Sequence, residues 1–174
     1  MRARLALALA LFACGGASDG SRPGPAPLVN VAAPHAEDPV IIVLERTRCY
    51  GDCPVYRLTI TNAGRVEYVG EESVKVKGSA KSSISLAEVR RLVDAFEAAD
   101  PARLAARLPG SAPHSAEIHL RYRDQPIVYR GERYPDRREA IVYGIADAID
   151  RAVRIERWIG TPSERQALLE AGRL

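Results

Sequence analysis

Along residues 40 to 160 the apolar positions change period repeatedly, and each change predicts a new element. Val40 to Leu44 (VIIVL) is a continuous, β-branched run, the pattern of a buried strand. Residues 55 to 60 (VYRLTI) alternate instead, with Tyr56, Leu58 and Ile60 on one face and Arg57 and Thr59 on the other. The stretch TNAG supplies a tight turn, with Gly64 free to take positive φ. Two further stretches, RVEYVG with Val66 and Tyr68 and SVKVKG with Val74 and Val76, extend the alternation into a meander. The period then lengthens. Ser85 and Glu88 form a capping box, and Leu86, Val89, Leu92, Val93 and Phe96 recur at helical spacing until Asp100-Pro101. A short helical turn is expected through Leu108, stopped by Pro109-Gly110. Residues 116 to 131 (AEIHLRY and PIVYRG around Asp124-Gln125) predict a second hairpin. Ile141, Val142, Ile145, Ile149 and Val153 mark a long amphipathic helix. A second capping box, Thr161 with Glu164, predicts a last helix in the tail, 161–174. Strands, helix, strands, helix, without regular β-α alternation, implies α+β: a mainly antiparallel sheet, meander plus second hairpin, with two packed amphipathic helices. Residues 39–160 form that single domain.

The chain before residue 39 has a different character. Arg2 and Arg4 precede an apolar run, Leu5 to Ala13, too short to span a bilayer, which needs about 20 such residues. This is the layout of a secretory signal peptide, residues 1–13. Leu11-Phe12-Ala13-Cys14 resembles the lipobox of bacterial lipoproteins. The resemblance implies a lipidated Cys14 at the mature N-terminus, and a membrane anchor without a transmembrane helix. An ordinary signal peptide cut nearby is the alternative. Gly15, rather than Asp, follows Cys14. By the same resemblance, this favours the outer membrane in a cell with two membranes, facing the periplasm or the cell surface. Residues 14–38, rich in Gly, Pro, Ser and Ala, read as a tether. Fully stretched, it reaches roughly 80 Å. His35 lies within it.

Charge then excludes one class of partner. The 25 Lys+Arg and 22 Asp+Glu give +3, and removing Arg2 and Arg4 leaves 25 − 2 = 23 against 22. Without a basic excess, no nucleic-acid partner is expected.

Leu44 to Ile60 reads LERTRCYGDCPVYRLTI, followed by Gly64, Val66, Tyr68 and Gly70. These residues, with Val74, Gly78 and the closing Trp158-Ile159-Gly160, resemble a domain-of-unknown-function family of short bacterial envelope domains, often borne on lipoproteins. The resemblance spans roughly residues 40 to 160 and implies an α+β fold and an envelope location, but no activity. The segment 110–117 (GSAPHSAE) departs from it.

Cys49 and Cys53 are the strongest candidate for chemistry. With Cys14 acylated they are an even pair in an oxidising compartment, and Gly51-Asp52 is suited to the turn a bridge requires. A structural disulfide is the favoured reading. The alternatives are a thiol-redox pair, or a Cu(I) site in the C-x-x-x-C-P loop with His114 or His119 as a distant ligand. Against the redox reading, a strand rather than a helix follows the loop, so no helix dipole supports a thiolate. Asp52 has no second carboxylate near it in sequence, and no phosphate loop or nucleophile elbow occurs. Arg130, Arg133, Arg137 and Arg138 read as a solvated face and helix start, and Tyr56, Tyr68, Tyr122 and Tyr129 as packing residues. No catalytic, cofactor-binding or metal-ligating residue is assigned. The expected function is a non-enzymatic binding or structural module, anchored through Cys14 and meeting an envelope protein or cell-wall partner.

Overall fold

A central strand with an Arg in its core-facing row organises the domain. The computed structural model describes residues 38–105, 116–130 and 137–172. Six strands form one antiparallel sheet: β1 (Val40–Arg46), β2 (Val55–Thr61), β3 (Arg65–Glu72), β4 (Gly78–Ser83), β5 (Glu117–Tyr122) and β6 (Gln125–Arg130). Their spatial order is β4-β3-β2-β1-β5-β6. The meander therefore occupies one half, and the second hairpin adds its strand β5 to the far side of β1. Helices α1 (Leu86–Ala99) and α3 (Arg137–Val153) pack over one face, the shorter α2 (Pro101–Ala105) and α4 (Glu156–Ile159) add Leu104 and Trp158 to the same core, and α5 (Pro162–Glu170) follows with no buried residue. The α+β expectation is met.

Register explains which residues are buried. Tyr68, Leu58, Leu44, Leu120 and Ile127 are consecutive cross-strand partners, and all point into the core beneath the helices. The neighbouring row is Gly70, Tyr56, Arg46, Ile118 and Tyr129. From above, Val89, Leu92 and Phe96 of α1 and Val142, Ile145, Ala146 and Ile149 of α3 close the core. Both capping boxes form: Ser85 Oγ accepts from Glu88 N at 3.2 Å, and Thr161 Oγ1 accepts from Glu164 N at 3.2 Å. Gly64, at φ +80°, turns the chain, and a Cβ there would strike the Ile84 carbonyl.

One strand lies elsewhere than its pattern predicts. SVKVKG alternates, yet β4 begins only at Gly78 and consists of GSAKSS. Ser73 is left-handed, at φ 51°, so the chain leaves β3's line and drops Val74 into the core, 1 % exposed. The Val76 N–H donates to the Trp158 carbonyl at 2.8 Å, and Tyr68 OH donates to the Val76 carbonyl at 3.1 Å. Those partners, not a neighbouring strand, satisfy the segment. Gly70 makes room for this arrangement, since a Cβ there would collide with the Tyr68 hydroxyl and the Val76 carbonyl.

Candidate functional site

Arg46 is the last residue of β1 and Tyr56 is its cross-strand partner on β2. Alternation turns both side chains toward the helices, where an unpaired guanidinium would be costly. Helix α3 brings the compensation, with Asp147 and Asp150 three residues apart on one face. Arg46 Nη2 lies 3.0 Å from Asp147 Oδ1 and 2.7 Å from Asp150 Oδ2, and its Nε lies 3.0 Å from both Asp150 Oδ2 and the Tyr56 hydroxyl oxygen. Tyr56 OH in turn donates to Asp150 Oδ1 at 2.7 Å. The side chains of Arg46 and Asp150 are 20 % and 13 % exposed, so these bonds are only partly screened by water.

The electrostatics follow from that burial. Desolvation raises the Tyr56 phenol well above its ordinary value, and the charge on Asp150 adds to the rise, so Tyr56 is a neutral donor. Burial works against charge on Arg46, but the Asp150 carboxylate and its hydrogen bond outweigh it, and the guanidinium stays charged. Burial raises Asp150 as well, opposed by Arg46 and the Tyr56 hydrogen bond. Arg46, Tyr56 and Asp150 thus hold one another in a fixed geometry.

Above this cluster opens a cleft of 730 Å³. Asp147, Asp150 and Arg151 of α3 form one wall. Arg154 and Ile155, which link the helices, and Glu156 and Arg157 of α4 form the other. Trp158 fixes α4 in place: its indole stacks on Tyr68 with centroids 4.8 Å apart, and the Arg157 guanidinium lies 4.1 Å over its ring.

A family model for a domain of unknown function, DUF6438, matches residues 40–153. The chain belongs to the DUF6438 family. The match begins at the first residue of β1 and ends at the last residue of α3, so the DUF6438 domain contains the Arg46–Tyr56–Asp150 cluster and one wall of the cleft. Arg154 to Arg157 and the Trp158-Ile159-Gly160 segment lie just beyond the DUF6438 match. No curated protein matches the chain.

The cysteine loop sits three residues along the chain from this cluster. Cys49 and Cys53 form a disulfide with Cα atoms 5.7 Å apart, within the range an unstrained bridge requires. Gly51, at φ 145°, makes the turn, and the loop tip carries Tyr50, 89 % exposed. Because the bridge closes the β1–β2 connection, it steadies the Arg46–Tyr56 pair. Replacing both cysteines with serine should lower stability by about 2 kcal/mol on the chain-entropy argument for so short a loop, measured as a shift in denaturation midpoint. Two titratable thiols in the native, air-purified protein would contradict the closed bond.

The other sequence candidates are dispersed. His119 lies on the opposite, open face of the sheet, with Nε2 2.6 Å from Glu117 and Nδ1 3.9 Å from Glu45. Asp52 is exposed on the cysteine loop. Tyr68, Tyr122 and Tyr129 are buried packing residues, as the alternation predicts, whereas Tyr56 also joins the charged cluster. Arg130 pairs with Glu117. Among the described residues no group of three His, Cys, Asp or Glu is arranged to hold a metal ion. Cys14, His35, His114 and Arg133 fall outside the described residues, as do the side chains of Arg137 and Arg138 and most of segment 110–117. Sequence reading missed Asp147 and Asp150. The signal that could have found them is Arg46 itself, a cation in phase with Ile42 and Leu44 that demands a carboxylate partner.

Proposed function

We propose that this chain is a lipid-anchored envelope lipoprotein whose DUF6438 domain is a non-enzymatic binding module, with the cleft beside α4 as its recognition surface. Cys14 carries the anchor, residues 15–38 hold the domain off the lipid, and an envelope partner occupies the cleft. Leu11-Phe12-Ala13-Cys14 supports the anchor, and the Cys49–Cys53 disulfide fits an oxidising compartment outside the cytosol. The observation that carries the binding reading is the mutual pairing of Arg46, Tyr56 and Asp150. Their polar atoms are committed to one another, and the phenol is held neutral, so the cluster suits a rigid wall better than a proton relay.

Two measurements test the two parts. Mass spectrometry of the mature N-terminus should find an acylated Cys14, and an unmodified start at any other residue would remove the anchor. A photo-crosslinker at Glu156 of the membrane-bound chain should trap a discrete partner that the same group at Lys81, on the far edge strand, does not. Identical or absent adducts at both positions would refute the cleft as the recognition surface.

A further inference from the structure

We propose that the cleft binds a phosphate group, with Arg151, Arg154 and Arg157 as its donors. This deepens the binding reading above by naming the ligand chemistry of the same cleft. Arg154 supplies the sharpest observation. It ends α3 in the left-handed region, at φ 53°, where Gly or Asn is the residue that stops a helix without strain. A bulky side chain there is unfavourable, and the chain reversal alone does not call for an arginine. Strained backbone of this kind gathers at functional sites.

Among the described residues, the guanidinium on that strained residue has no hydrogen-bond partner. Arg123, also left-handed, has its guanidinium 4.9 Å over the Tyr122 ring and 3.4 Å from Glu97. Arg154 and Arg151, by contrast, make no side-chain hydrogen bond or ion pair among the described residues, though the charge of Arg154 is felt at Glu88. Arg157 is oriented in advance by the Trp158 ring and by a 2.6 Å bond from Nη2 to Ser82 Oγ, which leaves its other N–H donors open. Asp147 and Asp150 face the same space, but both are bonded to Arg46 beneath them. Along the lining Arg151, Arg154 and Arg157 match Asp147, Asp150 and Glu156 in number, and Arg46 beneath engages both aspartates, so the attraction for an anion rests on the open guanidinium donors rather than on net charge. Three forked guanidinium groups need more acceptor oxygens than the two of a carboxylate, and a tetrahedral phosphate supplies them. A soluble phosphate ester and a phospholipid headgroup share that chemistry.

The test uses the full chain in non-ionic detergent, titrated calorimetrically with inorganic phosphate and, separately, with a short-chain soluble phosphatidylglycerol. Phosphate should bind, and acetate at equal concentration should not. Arg154→Gly should weaken phosphate binding by about tenfold or more, the loss expected for one charge-assisted contact. Its melting temperature should be unchanged or higher, because glycine suits the left-handed position. Tighter binding of the lipid assigns a headgroup, tighter binding of inorganic phosphate a soluble ester, and either upholds the site. Unaltered affinity in Arg154→Gly, acetate binding equal to phosphate, or no phosphate binding at all would overturn the proposal. A partner trapped at Glu156 with no phosphate binding would defeat this inference alone and leave the binding-module reading intact.

Discussion

Asp150→Ala should destabilise the domain by about 3 kcal/mol, the lower end of what removing one partner of a buried ion pair costs. The lower end applies because Arg46 keeps Asp147 at 3.0 Å and some contact with water. What it loses is both bonds to Asp150, at 2.7 and 3.0 Å, while the Tyr56 hydroxyl loses its acceptor. Tyr56→Phe removes only the hydroxyl, and should cost about 1 kcal/mol. Chemical denaturation read as a shift of midpoint at constant slope measures both. A cost for Asp150→Ala below about 1 kcal/mol would mean the cluster behaves as a solvated surface pair.

Trp158→Ala should be at least as damaging, about 3–5 kcal/mol. The indole is 8 % exposed and lies between Tyr68 and the Arg157 guanidinium. Its backbone carbonyl also anchors the β3–β4 connection through the Val76 N–H. Cutting away the ring removes the packing that holds α4 against the sheet, and with it one wall of the cleft. The variant should therefore lose midpoint stability and also bind any cleft ligand more weakly. Trp158→Phe, which keeps a ring to stack on Tyr68, should recover most of both. Equal loss in the two variants would show that stacking is not what holds α4.

Strands β1 to β3, the hairpin of β5 and β6, both capping boxes and the disulfide turn depend on neighbours a few positions apart, so their patterns were readable. The position of β4 was not, because Val74 and Val76 carry a strand's alternation while Val74 is buried in the core and Val76 is bonded to Tyr68 and Trp158, the latter far along the chain. Asp147 and Asp150 were hidden for a related reason. On an amphipathic helix they read as the polar edge, and only the path of α3 across Arg46 makes them part of a site. Arg154 gave no local signal at all, since its significance is a backbone angle.

The position of β1 also sets an order of events. Leu44 pairs with Leu58 on one side and with Leu120 on the other. The first partner is local, while the second is made long after α1. A nascent chain that has emerged only as far as α1 thus holds its most apolar strand, VIIVL, as an unpaired edge. Closure onto β5 is a long-range step of the kind that slows folding and leaves the chain open to association with others. Until that step is complete, the chain depends on being kept apart from its own copies.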